Sequence, residues 1–257
     1  MKLSLFQLNI NADNYWDTLI PFLTTHTFDV MHFQELTGKD TIVGNIHSKI
    51  DTFIELKEIL KDKYNSELSI EQRFSSGPES YMANGIFYKK SLPLIEKKEY
   101  RLSSFNTFFP SVSTDYEKVG RTLQHLTLQI GDQSISFLNT HFAWGRDHIE
   151  KPFQTEQGEI LIEYLTAVKP PFVLSGDFNL TPDQPLIKKL DTFARNLTAE
   201  NHITNTLNPT NHRAKHLFPK GLAVDYIFTS RDIKTENFSV IDEGLSDHFG
   251  LSVEIEI

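Results

Sequence analysis

Residues 172–180 of the chain read FVLSGDFNL, and this stretch is the most informative feature of the sequence. Its first residues are mostly apolar and follow Pro170 and Pro171, which predicts a short buried strand. Asp177 and Asn179 leave the end of that strand two residues apart, and residues two apart in an extended chain point the same way. A carboxylate and an amide that converge can orient a water molecule or hold a hard metal ion. The structural alternative is an aspartate that only caps the following turn.

Three further strand-like segments end in polar side chains in the same way, and a fourth stretch places Asp and His just before a C-terminal strand. They are residues 3–11 (LSLFQLNIN), 30–35 (VMHFQE), 135–141 (ISFLNTH) and 245–251 (LSDHFGL). Charged side chains are seldom buried unless they are paired or bind a metal. Polar groups gathered at the carboxyl ends of strands are typical of an active site, so packing alone is a poor explanation of the pattern.

The composition is that of an ordinary globular protein, with 257 residues, 39% hydrophobic and 23% charged. We expect one domain over residues 1–257. No apolar run approaches the ~20 residues needed to cross a bilayer, and the first strand begins near the N-terminus without a signal-peptide core. The absence of cysteine excludes disulfides, thiolate metal sites and a cysteine nucleophile. These features favour a cytoplasmic, monomeric protein without membrane contact.

The formal net charge of −9 argues against a general duplex DNA binder. Duplex binding draws much of its affinity from Lys and Arg contacts with phosphate. A bound divalent ion supplies positive charge locally and attracts phosphate by itself. The negative net charge therefore does not exclude phosphoester substrates. Nucleic acid remains a partner that the charge does not indicate.

Strand and helix signals alternate along the chain, which predicts an α/β or α+β fold. Residues 16–23 and 53–64 have helix-like apolar faces, and residues 156–168 form a third predicted helix. Pro21 predicts a break or kink within the first of these. Residues 123–138 predict a hairpin with a glycine in its turn. The pattern alone does not choose between a parallel sheet and two stacked sheets.

Six motifs in a fixed order resemble the endonuclease/exonuclease/phosphatase superfamily. They are LNIN (8–11), FQE (33–35), NTH (139–141), GDFNL (176–180), VDYIF (224–228) and SDH (246–248). Each motif is weak alone, but the ordered set spans nearly the whole chain. The superfamily includes deoxyribonucleases, apurinic endonucleases, neutral sphingomyelinases, inositol-polyphosphate phosphatases and poly(A) deadenylases. The resemblance implies an α+β fold, a four-layer α/β/β/α sandwich of two mainly antiparallel sheets flanked by helices, with the active site at one edge.

The resemblance also implies a divalent-metal site. Its principal ligand would be Glu35, supported by Asn9 and Asp247, and oxygen donors of this kind suit Mg²⁺ or Mn²⁺ rather than zinc. Asn11 stands where many relatives carry an acidic residue, which favours one tightly bound ion over two. The structural alternative for Glu35 is an exposed glutamate at a strand end.

The expected catalytic residues are two histidines and their polar partners. Histidine is the side chain whose proton moves near neutral pH. By resemblance, His248 acts on the water or the phosphorane and is backed by Asp225, which would be costly in its apolar strand unless paired. His141 contacts the phosphate or protonates the leaving oxygen, or else it is a structural histidine. Asp177 and Asn179 complete the set, and the implied reaction is in-line attack of water.

Three basic residues are expected to contact the substrate. Arg121 follows a glycine at the start of a strand, and arginine suits bidentate contact with phosphate; a solvated arginine is the alternative. Arg213 and Lys215 lie in the polar, turn-rich stretch 205–221, which precedes Asp225 and should overhang the site. That stretch is either a loop that binds the substrate anion or an ordinary surface loop.

The sequence therefore predicts a cytoplasmic, Mg²⁺-dependent phosphoesterase. Its substrate would be a phosphodiester or phosphomonoester, such as a nucleotide, an RNA or a phosphorylated metabolite. One alternative is a DNA repair-type endonuclease or exonuclease, which would need basic and aromatic loops that the sequence does not reveal. Another is a non-catalytic binding domain of the same fold, which would be expected to lose the Glu, Asp and His residues that this chain retains.

Overall fold

The computed structural model describes residues 1–44, 46–103, 109–110, 118–145, 147–169, 171–212, 216 and 218–256. The strands of this part of the chain are β1 (Lys2–Asn9), β2 (Val30–Thr37), β3 (Ile42–Val43), β4 (Ile46–His47), β5 (Tyr64–Arg73), β6 (Tyr81–Lys89), β7 (Leu94–Arg101), β8 (Thr122–Ile130), β9 (Gln133–His141), β10 (Phe172–Asp177), β11 (Arg195–Asn196), β12 (Asp225–Thr229), β13 (Lys234–Ile241) and β14 (Gly250–Glu256). The helices are α1 (Trp16–Thr25), α2 (Thr52–Leu60), α3 (Pro152–Ala167), α4 (Pro185–Phe193) and α5 (Leu197–Glu200). Within these ranges no helix is both long and apolar enough to span a membrane.

Most of the strands form two six-stranded sheets. Sheet one has the order β13-β14-β1-β2-β6-β5 and sheet two has the order β11-β12-β10-β9-β8-β7, while β3 and β4 form a separate hairpin. Each large sheet contains one parallel pair, β1 with β2 and β9 with β10, and its other described pairings are antiparallel. Helices α1 and α3 connect the members of these two pairs. The carboxyl ends of each parallel pair therefore meet at one edge of its sheet.

The two sheets pack face to face through apolar side chains. Leu5 and Val30 of sheet one lie in the same buried cluster as Phe137 and Val173 of sheet two. Because side chains alternate along a strand, the neighbours of these residues point outward. The inner layer is thus the core that fixes the distance between the sheets.

Helices cover the outer face of each sheet. On sheet one, Leu19 of α1 packs in one cluster with Phe6 of β1, and α2 adds to the same layer. On sheet two, Leu161 of α3 and Leu190 of α4 pack in one cluster with Leu174 of β10. The prediction of two mainly antiparallel sheets flanked by helices is confirmed.

Amide side chains join the two sheets close to the edge where the parallel pairs end. Gln7 donates to Gln34 Oε1 over 2.8 Å, and Gln34 donates to Asn139 Oδ1 of the opposite sheet over 2.7 Å. Asn139 in turn donates to the carbonyl of Phe33 over 3.0 Å. Because buried amides are stable only when hydrogen-bonded, this network fixes the relative position of the sheets there.

The predicted break at Pro21 does not occur, because α1 continues from Trp16 to Thr25. Proline removes one hydrogen bond from a helix interior. The burial of Leu19, Phe22 and Leu23 against sheet one keeps the helix in place despite that loss.

Candidate active site

A cavity of about 260 Å³ opens at the edge of the sandwich where the parallel strand pairs end. Glu35 of β2, His141 at the end of β9 and Asp177 at the end of β10 line it. Asn9 ends β1, and its Nδ2 donates to Asp177 Oδ2 over 3.0 Å. Polar residues from four strands of two sheets therefore converge.

Three site residues lie in one row across sheet two. Asp177 is in register with His141 of β9 on one side and with Asp225 of β12 on the other. Gly176 makes this close pairing possible, because a Cβ atom there would lie 1.8 Å from the carbonyl oxygen of Thr140. A larger residue would push β10 away from β9 and separate Asp177 from His141.

Glu35 lies in a β-bulge rather than at the end of a strand. Strand β2 continues to Thr37, but its pairing with β6 shifts register between Phe33 and Leu36. Glu35 itself has a φ of 55°, which is costly for a residue other than glycine. In a regular strand its side chain would point with Phe33 toward the helices, and the bulge turns it toward the cavity. The prediction that the strand ends at Glu35 is therefore wrong, since pairing resumes beyond it.

Asp177 lies at the centre of the site. Its Oδ1 accepts a hydrogen bond from the main-chain N–H of Asn179 over 2.8 Å. Its Oδ2 lies 3.6 Å from His141 Nε2 and 3.8 Å from His248 Nε2. Burial alone would raise the pKa of Asp177, but the two histidines hold it below its usual range. The carboxylate is thus ionised and faces both histidines.

Asn179 lines the cavity next to Asp177. It has a φ of 53°, and its Nδ2 donates to the carbonyl of Phe142 over 3.1 Å. This backbone conformation, uncommon outside glycine, places both the side chain and the main-chain N–H of Asn179 at the site.

Asp225 and His248 form a buried pair. His248 Nδ1 lies 2.9 Å from Asp225 Oδ2, and the other carboxylate oxygen of Asp225 accepts from Gln7 Nε2 over 3.2 Å. Burial alone would lower the pKa of His248, but Asp225 and Asp177 raise it well above its usual value. His248 is therefore positively charged at neutral pH, and its Nε2 faces Asp177.

His141 is held by a buried ion pair. Arg121 Nη1 lies 2.8 Å from Glu71 Oε2 and 3.0 Å from His141 Nδ1, and both charged side chains are almost fully buried. Glu71 Oε2 also lies 3.5 Å from His141 Nδ1, so the Glu71–Arg121 pair fixes the orientation of the imidazole ring. Burial would raise the pKa of Glu71, but Arg121 and His141 hold it below its usual value. His141 Nε2 thus lies between Glu35 Oε1, at 3.8 Å, and Asp177 Oδ2, at 3.6 Å.

The oxygen donors of the cavity fit a hard divalent cation. Glu35, Asp177 and Asp247 line it, and Asn9 hydrogen-bonds to Asp177. Burial raises the pKa of Glu35, and Asp247 raises it further, while His141 lowers it. Carboxylates that converge and repel one another in this way form a suitable site for a cation.

A tighter group of acidic and histidine residues also lies at the site. Ligand atoms of Asp177, Asp225 and His248 lie within 4.8 Å of one another. However, His248 and Asp225 already hydrogen-bond to each other over 2.9 Å. The shortest contact within this trio is therefore a hydrogen bond between two protein side chains.

The predicted substrate-binding residues Arg213 and Lys215 lie outside the described residues. In the described part of the stretch 205–221, Leu207 and His212 line the cavity. Leu207 also forms a β-bridge with His248. Two described residues of the predicted anion loop, both before Arg213 in the sequence, thus reach the site.

Comparison with known proteins identifies the family of the chain. A sequence model of the endonuclease/exonuclease/phosphatase family matches residues 6–248, which include all the site residues named above. The chain belongs to this family. No curated protein sequence matches the chain.

Solved structures of this family share the fold at low sequence identity. An endonuclease/exonuclease/phosphatase from Beutenbergia cavernae superposes with a TM-score of 0.77 and 18% identity, covering 100% of this chain and 72% of that one. The catalytic domain of human Nocturnin with a bound sulfate anion has a TM-score of 0.72 and 16% identity, with coverage of 99% and 93%. The Bacteroides thetaiotaomicron mannosyl-6-phosphatase has a TM-score of 0.66 and 18% identity, with coverage of 99% and 100%. At this identity the likeness shows the fold alone.

Two residues at the site, Glu71 and His148, are not predicted from the sequence. Glu71 lies in the middle of β5, where nothing in its own segment marks it as the partner of Arg121. His148 lines the cavity with a φ of 54°, and its Nδ1 lies 3.2 Å from the carbonyl of Asn179, while its buried Nε2 has no partner among the described residues. Neither residue belongs to a recognisable sequence motif. Only the folded structure shows that they lie at the site.

Proposed function

We propose that the protein is a divalent-metal-dependent phosphoesterase that hydrolyses its substrate by in-line attack of water. The observation that carries this proposal is the arrangement of His141 and His248 on either side of Asp177, beside the carboxylate of Glu35. Two histidines, each backed by a buried carboxylate, face one cavity that also holds oxygen donors for a cation. Phosphoester hydrolysis needs these parts together.

In the proposed reaction, Asp177 and His248 handle the attacking water. Asp177 is ionised, so its Oδ2 can accept a proton from water held between it and His248. The charged His248 donates from Nε2 and stabilises negative charge that develops on the phosphoryl group. Asp225 keeps His248 protonated and oriented through Nδ1.

In the same proposal, His141 acts on the leaving group. Its Nε2 lies between Glu35 and Asp177 and can donate a proton to the leaving oxygen. Glu35, Asn9 and Asp247 would hold the cation. When bound, Mg²⁺ or Mn²⁺ supplies positive charge that polarises the phosphoryl group.

The charges of the described residues favour a small phosphoester over duplex DNA. Arg121 is the only lysine or arginine among the described lining residues, and Glu71 offsets its charge. The net charge of the chain is −9. The cavity of about 260 Å³ lies just below the ~300–1,000 Å³ that is usual for small-molecule sites. A nucleotide or phosphorylated metabolite suits this site.

The test is hydrolysis of bis-(p-nitrophenyl) phosphate and p-nitrophenyl phosphate with Mg²⁺ or Mn²⁺, compared with EDTA. We expect metal-dependent turnover that is lost in Glu35→Ala and His248→Ala. The exposed Glu58→Ala variant serves as the control and should retain full activity. Absence of turnover, combined with no metal-induced rise in melting temperature, would contradict the proposal and favour a non-catalytic domain.

A further inference from the structure

One side of the catalytic cavity is apolar. Val43, Ile46, Met82 and Val119 line it, and we refer to these four residues as the apolar wall. Val43, Met82 and Val119 pack in one buried cluster with two phenylalanines, and Ile46 packs against that cluster while partly exposed. Apolar side chains that line an open cavity gain from a ligand that removes them from water.

The hairpin β3–β4 supplies half of this wall. Val43 and Ile46 are directly paired across the hairpin, so their side chains share one face. The neighbouring pair, Ile42 with His47, does not line the cavity, and Ile42 is 39% exposed. The hairpin belongs to neither large sheet. Its pair Val43 and Ile46 faces the active-site cavity.

The apolar wall adjoins the leaving-group side of the site. Met82 Sδ lies 3.9 Å from Arg121 Nη1, and the same nitrogen lies 3.0 Å from His141 Nδ1. His248 lies beyond Asp177, beside Leu207. In an in-line displacement the water and the leaving group are on opposite sides of phosphorus. A group bound on the wall is therefore on the side of His141, away from His248.

The wall has no charge to pair with a charged ligand. Its four side chains are apolar, and the adjacent Arg121 already pairs with Glu71. Burying an unpaired charge against such a surface is costly, so the ligand group is uncharged. The cavity of about 260 Å³ limits that group to a small one.

We propose that the apolar wall binds an uncharged, ring-sized organic group that is esterified to the scissile phosphate. This proposal rests on the proposed function and specifies its substrate class. The enzyme then favours phosphoesters whose group next to phosphorus is uncharged and of ring size, through contacts with Val43, Ile46, Met82 and Val119.

The experiment compares methylphosphonate with phenylphosphonate as non-hydrolysable ligands, by calorimetric titration of the protein in the presence of Mg²⁺. We expect phenylphosphonate to bind about tenfold more tightly. In Ile46→Ser that preference should fall toward unity, while the affinity for methylphosphonate stays unchanged. Val43→Thr, which preserves side-chain shape, should reduce the preference in the same direction. The control Ile42→Ser, in the same hairpin but outside the cavity, should keep it.

Equal affinity for the two ligands in the unaltered protein would overturn the inference. So would a preference that Ile46→Ser and Val43→Thr leave intact, or an octylphosphonate that binds more tightly than phenylphosphonate. Because methylphosphonate reports on the phosphate site and hydrolysis reports on the activity, failure of the apolar wall is distinguishable from failure of the proposed function.

Discussion

At the scale of single residues, Asp225 shows how one buried carboxylate sets the charge of a histidine. It is fully buried, and His248 is its closest charged partner, at 2.9 Å. Asp225→Asn keeps the shape of the side chain but removes its negative charge. We expect kcat to fall about 10²- to 10⁴-fold, because His248 loses the charge that keeps it protonated and oriented. Steady-state hydrolysis of bis-(p-nitrophenyl) phosphate measures the effect.

The matched control for that change is Asp29→Asn. Asp29 lies just before β2 and accepts a hydrogen bond from the main-chain N–H of Ser4 over 2.7 Å, outside the cavity. This variant should lose some stability and keep its kcat. Equal kcat in Asp225→Asn and Asp29→Asn would contradict the assigned role of Asp225.

The ion pair of Glu71 and Arg121 is a second feature at the residue scale. Their side chains are 0% and 4% exposed, so loss of one partner leaves a buried charge unpaired. We expect Glu71→Gln to lower the free energy of unfolding by about 3–5 kcal/mol. The double variant Glu71→Gln/Arg121→Met should recover much of that loss, because no charge then remains buried. Urea denaturation measures all three proteins.

An exposed ion pair offers the comparison. Lys97 Nζ lies 2.6 Å from Glu67 Oε2, with side chains 44% and 26% exposed. Glu67→Gln should change the free energy of unfolding by only ~0–1 kcal/mol, because water screens the pair. A double Glu71/Arg121 variant no more stable than Glu71→Gln alone would refute the buried-charge explanation.

At the scale of elements, the bulge in β2 couples backbone strain to the placement of Glu35. A left-handed conformation costs about 1–2 kcal/mol for residues with a Cβ atom, and glycine avoids this cost. We expect Glu35→Gly to be more stable than Glu35→Ala by about 1 kcal/mol, although both lose metal-dependent activity. Guanidinium denaturation of the two variants measures the difference.

The opposite order is expected in an unstrained strand. Glu67 of β5 is not among the residues with positive φ, so Glu67→Ala should be more stable than Glu67→Gly by about 0.5–1 kcal/mol. If alanine were also favoured over glycine at Glu35, the bulge would not be a source of strain.

The elements themselves were largely predictable, and their interruptions were not. Strands β1, β9, β10, β12 and β14 follow from short apolar or alternating runs, since local pattern and burial coincide there. The bulge at Glu35 has no local signal, because it depends on how β2 pairs with β6. The continuity of α1 through Pro21 likewise depends on burial against sheet one.

At the scale of the whole molecule, His32 makes the packing of the two sheets sensitive to acid. It is fully buried, its Nδ1 lies 2.8 Å from Ser175 Oγ of the other sheet, and burial lowers its pKa to about 3. In the unfolded chain its pKa is about 6.5. Below about pH 6.5 the unfolded state binds a proton on His32 that the folded state does not. The free energy of unfolding therefore decreases as the pH is lowered.

The expected slope from His32 is ~1.4 kcal/mol per pH unit from about pH 6.5 down toward pH 3. His32→Asn can keep a hydrogen bond to Ser175 and removes the titration. We therefore expect its free energy of unfolding to fall less steeply between about pH 6 and about pH 4, whatever its stability at neutral pH. Urea denaturation across this range measures both slopes, and equal slopes would exclude His32 as the cause.

The sequence by itself determined the family motifs, the strands that carry them and the choice of an oxygen-donor site. These features follow from short stretches of sequence. A run of apolar residues predicts a strand, and the Asp, Asn, Glu or His that follows it is predicted to lie at the strand end. The structure brings Asn9, Glu35, His141, Asp177 and His248 together at one edge, as that order implies.

The further residues of the site are apparent only from the tertiary structure. Glu71 and Arg121 are 50 positions apart, and Gln7 and Asp225 are 218 apart, yet both pairs hydrogen-bond. Such contacts depend on strand order, register and the distance between the sheets, and none of these is encoded in a short segment. The apolar wall arises in the same way, because Val119, just before β8 of sheet two, meets the wall residues of β3, β4 and β6 only after the two sheets have packed.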